Sequence, residues 1–196
     1  IEKGNLVMVG DKIKVINRYL SSVSTDSCGE FDLTDPKLRK NSFENSIFKW
    51  KKMKIVNSKK EITSSIGLME PFEMIITGEL RESVDDLVVG FGVMSALGVP
   101  LFNSYATDDS LPTCYSKGEV SFRIRFDPNL LGPGYYTIDL AANGKGICDW
   151  IPFAAQIYIE QVRKEDGMHI RANYTGIIIP PCKWEVACTS HVTSQT

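Results

Sequence analysis

The stretch EVSFRIRF, residues 119–126, alternates without a break. Val120, Phe122, Ile124 and Phe126 are apolar, and Ser121, Arg123 and Arg125 stand between them. On an extended chain successive side chains point to opposite faces, so the segment offers one face to a core and one to water. A helix would spread the same residues around its axis, and no core could use them.

The pattern recurs. Residues 47–56 form one such run, and PFEMIITGEL sets Phe72, Met74 and Ile76 on a single face. LVVGFGVMS groups Val89, Phe91 and Val93, leaving Gly90, Gly92 and Met94 opposite. VPLFNSYAT follows a Leu97-Gly98 turn. LLGPGYYTIDLAA places Tyr136, Ile138 and Leu140 inward and Tyr135, Thr137 and Asp139 outward. AAQIYIEQV sets Ala155, Ile157 and Ile159 against Gln156 and Tyr158, and two further strands are expected around MHIRANY and TGIIIP. Eight or nine short strands with Gly/Pro turns between them predict an all-β chain, an antiparallel β-sandwich of immunoglobulin-like or jelly-roll-like kind. One-sided alternation fits sheets with one face in the core and one in water.

The front of the chain reads differently. IEKGNLVMVGDKIKVINRYLSS suggests a short apolar strand, a Gly10-Asp11 turn and a short N-terminal helix with Ile13, Ile16 and Leu20 at helical spacing. These elements cannot bury a core alone, so they read as a docked lead-in or as the tail of a larger unit. Residues 23–44 are rich in Ser, Asp, Asn and Lys without a period and read as a linker. The expected division is therefore a tail over 1–22, a linker over 23–44 and a sandwich over 45–196.

A formal charge of −2 supplies no basic field for nucleic acid or anionic lipid. The local cluster of Lys49, Lys51, Lys52 and Lys54 around Trp50, with Glu44 and Glu61 flanking it, reads as a solvated strand face. The longest uncharged stretch, from Leu87 up to Asp108, is broken by Gly90, Gly92, Gly98 and Pro100, which argues against a membrane span. The charged first residues, followed by no long apolar run, argue against a signal peptide. Five cysteines without a CxxC pair point to free thiols in a reducing compartment. His169 and His191 lie near no cysteine cluster, so no zinc site or other cofactor is expected.

No catalytic signature emerges. There is no GxxxxGK[ST], GxSxG or HExxH, and the turn 143–146 is only a fragment of a phosphate loop. Asp85-Asp86 and Asp108-Asp109 read as solvated turn residues, and Cys114 and Cys148 lack a histidine partner. A binding surface is better supported. Sugar sites combine aromatic faces, which cover C–H patches, with fixed polar groups that bond hydroxyls. The outward set holds Tyr105, Tyr135, Asp139, Gln156 and Tyr158, beside the small residues Gly90, Gly92 and Ala141, which would leave a shallow trough. The turn GKGICDWIPF adds Asp149 and Trp150, and Arg123 and Arg125 would suit a planar anion. Outward tyrosines also follow from strand propensity alone, and Trp150 could simply close one end of the sandwich.

The segments LVVGFGVMSALGVPLFNSYAT, GEVSFRIRFDPNLLGPGYYTIDLAA, the DW of ICDWIPFAAQIYIE and the late GIIIPPCKWE together resemble the C-terminal domain of Wzt-type ATP-binding subunits. These subunits energise ABC exporters of O-antigen polysaccharide. The resemblance spans about 43–187, and EKGNLVMVGDKIKVINRYL resembles the end of an ABC nucleotide-binding domain.

The resemblance implies a non-catalytic carbohydrate-binding module that lacks the ATPase motifs. It would bind the capped non-reducing terminus of lipid-linked O-antigen polysaccharide and couple chain completion to export. Implied partners are its own nucleotide-binding domain, the transporter's membrane subunit and a second copy of itself. The dimer of some members exchanges a C-terminal strand, here TGIIIPPCKWEVA after the hinge RKEDG. The implied location is cytoplasmic, peripheral at the inner membrane. The alternative is a structural module that holds the ATPase dimer together without binding sugar.

Overall fold

Alternating apolar residues converge on the space between two sheets. The computed structural model describes residues 9, 29–40, 42–160 and 177–178. Among these, nine strands form the sandwich: β1 (Glu30–Asp32), β2 (Phe48–Asn57), β3 (Ser65–Gly67), β4 (Phe72–Leu80), β5 (Val88–Ser95), β6 (Pro100–Tyr105), β7 (Gly118–Phe126), β8 (Gly134–Gly144) and β9 (Ile147–Glu160). One sheet has the order β1-β2-β4-β7 and the other β3-β9-β8-β5-β6. Every described pairing is antiparallel except that of β3 with β9, which is parallel.

The core follows the period-two reading closely. β4 turns Phe72, Met74, Ile76 and Leu80 inward, and β8 turns Tyr136, Ile138, Leu140 and Ala142 inward. In β2 a register break between Trp50 and Lys52 lets both Trp50 and Met53 face the core, although they are an odd number of residues apart. Such a bulge adds one residue and re-aims the side chains beyond it. Phe48 and Trp50 meet edge to face at 4.7 Å, and Phe72 stacks on Phe126 at 4.4 Å. Gly78 makes room for this cluster, because a methyl group there would stand 2.2 Å from Phe48 Cζ. Each fully buried Leu, Ile or Phe contributes about 1.5–3 kcal/mol, so truncating Trp50 to alanine costs about 3–5 kcal/mol.

Residues 29–40, expected within a linker, are part of the sandwich. Glu30–Asp32 pair with Lys54–Lys52, Leu33 is fully buried, and Asp35 caps a single 3-10 turn over Pro36–Leu38 by accepting from Lys37 N at 2.9 Å. Arg39 crosses to the other sheet, where its Nε donates to Asp149 Oδ1 at 2.8 Å. A three-residue strand carries too little alternation to stand out against a polar background.

The expected N-terminal strand and helix within 1–22, the strand around MHIRANY and the hinge RKEDG lie outside the described residues, apart from Val9. Of the late segment TGIIIPPCKWEVA only Ile177 and Ile178 are described. They lie beside the start of β8: Ile178 bridges Leu131, and Gly132 N donates to Ile177 O at 2.8 Å.

Candidate functional site

The outer face of the five-stranded sheet is built in rows, because side chains in register across adjacent strands share a face. One row reads Tyr105, Gly90, Ala141, Trp150 across β6, β5, β8 and β9. The next reads Asn103, Gly92, Asp139, and a third reads Met94, Thr137, Gln156. Two aromatic side chains thus stand three strand spacings apart, about 14 Å between their backbones, over a floor without bulk.

The glycines set the depth of that floor. A methyl group on Gly90 would stand 2.5 Å from Tyr105 Cδ1, and one on Gly92 would stand 2.6 Å from Asn103 Oδ1. Tyr105 and Asn103 therefore lean over positions that only glycine leaves open. The result is a depression of about 220 Å³ whose lining includes Met94, Pro100, Asn103, Tyr105, Asp139 and Trp150. Tyr105 is 44% exposed, so its ring is free to meet a ligand.

Trp150 is fixed from the opposite side. Its N donates to Ser42 Oγ at 2.9 Å, its O accepts from Lys40 N at 3.0 Å, and the Lys40 ammonium lies 5.8 Å from the centre of its ring. Asp139 sits where the β8–β9 register breaks between Ile138 and Leu140. Its Oδ1 accepts from Phe153 N at 2.8 Å. Phe153 adopts φ +54° and is 62% exposed. A non-glycine residue in the left-handed region costs about 1–2 kcal/mol, and such strain collects at ligand clamps. A bulge beside a site commonly re-aims a side chain.

The nine residues singled out from sequence do not form one site. Tyr105, Asp139 and Trp150 share the depression. Tyr135 and Tyr158 pair across β8 and β9 with ring centres 4.6 Å apart, on the same outer face but about 20 Å along the strands. Gln156 lies between these two groups. Arg123 and Arg125 belong to the other sheet, where they flank Glu73 at 3.8 and 3.3 Å. They share no surface with the depression.

Asp149 is not available to a ligand at all. It is fully buried, bonded to Arg39, and accepts from Trp50 N at 2.7 Å. Adjacent residues on a strand face opposite ways, so Trp150 outward dictates Asp149 inward. Phe153 and Asn103 are the residues that sequence reading missed. For Phe153 the signal was Pro152: proline inside a central strand marks a bulge.

A larger depression, about 490 Å³, lies around Arg39, Lys49, Trp50, Lys51 and Arg81. Three of its four cations are already paired: Arg39 and Lys49 reach the buried Asp149 at 2.8 and 3.7 Å, and Lys51 reaches Glu79 at 2.7 Å. Trp50 is 1% exposed and offers no stacking face there. The smaller depression, with two accessible aromatic side chains, is the better candidate.

The family model of the Wzt C-terminal domain matches residues 39–170. Among solved structures, the crystal structure of the C-terminal domain of wzt superposes with a TM-score of 0.63 at 12% identity, over 80% of this chain and 92% of that one. A CARDB domain from Pyrococcus furiosus, solved with di-metal ions, gives a TM-score of 0.36 at 13% identity, over 64% of this chain and 98% of that one. No curated protein matches the sequence.

Proposed function

The chain belongs to the family of Wzt C-terminal domains, carbohydrate-binding modules of ABC exporters, and we propose that its depression binds the non-reducing terminus of a lipid-linked O-antigen polysaccharide. The observation that carries this reading is the row Tyr105, Gly90, Ala141, Trp150. Aromatic side chains flank a low floor, and Asp139 and Asn103 stand beside it. Aromatic rings cover the C–H patches of a pyranose, and a carboxylate and an amide supply acceptors and donors for its hydroxyls.

Binding at the terminus couples completion of the polysaccharide to its export. No bond is made or broken by this domain; its contribution is selective affinity. Its partners on this reading are the nucleotide-binding domain, joined through residues 1–22, the transporter's membrane subunit and a second copy of the module, with exchange of the segment TGIIIPPCKWEVA. The location is cytoplasmic, at the inner membrane through the complex. Among the described residues no helix is long and apolar enough to cross a membrane.

The test is calorimetric titration of the protein with capped polysaccharide and with its uncapped form. The capped form is expected to bind at least tenfold more tightly, a difference of about 1.4 kcal/mol. Equal affinity refutes terminus recognition. Absence of binding by either form, from a protein that sizes as a stable dimer, favours the purely structural module.

A further inference from the structure

The charged groups around the depression are distributed unevenly. Asp139 is the one charged residue of its lining among the described residues. Its Oδ1 is engaged by Phe153 N at 2.8 Å, while Oδ2 faces no hydrogen-bond donor among the described residues. An ionised carboxylate only accepts, so what it can take from a ligand is the proton of a hydroxyl.

Among the described residues, no lysine or arginine lines the depression. Arg123 and Arg125 lie on the other sheet, beside Glu73. Lys51 pairs with Glu79, and Lys52 and Lys54 pair with Glu30. The ammonium of Lys40 sits over the Trp150 ring, 5.8 Å from its centre, and Lys40 does not line the depression. The rest of the lining, Asn103, Met94, Pro100, the two aromatic residues and the small residues of the floor, carries no positive charge.

We propose that the depression selects an uncharged sugar terminus and rejects one that carries a phosphate or a carboxylate, with Asp139 as the residue that enforces the choice. This rests on the carbohydrate-binding reading and adds the chemical class of the ligand. A phosphate or carboxylate placed between Tyr105 and Trp150 would face the Asp139 carboxylate at short range, where like charges repel. A neutral pyranose would instead donate a hydroxyl to Oδ2 and turn its apolar face to an aromatic ring.

The test uses the whole chain on an array of synthetic oligosaccharides in matched pairs. The members of each pair share a backbone and differ in the terminal cap, an uncharged methyl ether against a phosphate or a carboxylate. The expected result is that every ligand bound has an uncharged terminus and that its anionic counterpart binds at least tenfold more weakly. Asp139→Asn, which keeps an acceptor for Phe153 N, is expected to narrow that gap to below threefold, and raised ionic strength to narrow it in the unaltered protein. An anionic terminus bound as tightly as its neutral partner overturns the selectivity while leaving carbohydrate binding in place. Binding to no member of the array overturns both.

Discussion

Replacing Phe153 by glycine and, separately, by alanine separates the strain at this residue from the packing of its ring. With 62% of its surface in solvent, the ring secures roughly a third of the ~1.5–3 kcal/mol that full burial gives, about 0.5–1 kcal/mol. Both variants lose that. Alanine keeps the penalty of φ +54°, whereas glycine removes about 1–2 kcal/mol of it and costs about 0.5–1 kcal/mol in chain entropy. Phe153→Gly is therefore expected to be near neutral against the parent protein and more stable than Phe153→Ala by about 0.5–1 kcal/mol.

At an ordinary strand position the order is the reverse, with alanine ahead of glycine. Scanning calorimetry is expected to place the melting temperature of the glycine variant about 1–4 °C above that of the alanine variant. Because both retain the N–H that Asp139 accepts, their sugar affinities should match while their stabilities differ. An alanine variant that melts higher than the glycine variant refutes the left-handed conformation of residue 153, and with it the claim that the bulge holds strain beside the depression.

Three further outcomes follow from the same geometry. Gly92→Ala puts a methyl group 2.6 Å from Asn103 Oδ1 and no closer than 3.7 Å to any other atom; thermal stability should hardly move, while affinity in a titration falls about two- to tenfold, the worth of one displaced hydrogen bond. Asp149→Ala removes the carboxylate from the Arg39 guanidinium, whose side chain is only 9% exposed and which keeps only carbonyl partners, and leaves Trp50 N without its acceptor. That costs about 3–5 kcal/mol and lowers the melting temperature by roughly 6–20 °C, and a shift within 2 °C of the parent contradicts the structural role of the pair. Tyr136 donates to Gly132 O at 2.8 Å, and burial pushes its phenol up from 10.0 to about 12. The folded state thus favours the neutral form, so this contribution is complete below about pH 10 and is lost as pH rises towards about 12. Urea unfolding should show the stability advantage over Tyr136→Phe shrinking across that window, and a constant difference counts against it.

How much was legible follows from what alternation encodes. Period two identifies the buried side of a strand, and Phe72, Met74, Ile76, Val89, Phe91 and Val93 all lie where it places them. It does not identify the sheet to which a strand belongs, since that depends on pairing between distant segments. Arg123 and Arg125 were therefore readable as outward but not as remote from Tyr105. The trough of Gly90, Gly92 and Ala141 was legible because missing side chains need no partner to be recognised.

Other features needed a different principle. Asp149 looked like a site residue because GKGICDWIPF was read as a turn; as part of β9 it alternates with Trp150 and must face inward. Leu33 and Arg39 anchor a stretch too short and too polar for any period to show. Phe153 required taking Pro152 as the mark of a bulge in a central strand.

The central claim is that one face of one sheet, between Tyr105 and Trp150, recognises a sugar terminus. Titrating isotope-labelled protein with the capped polysaccharide while following backbone amide shifts locates the contact without altering a residue. The expected footprint covers Gly90, Gly92, Asn103, Ala141 and Phe153 and leaves the β7 amides around Arg123 and Arg125 unmoved. Shifts centred on β7, or on the depression around Arg39 and Lys49, contradict the account.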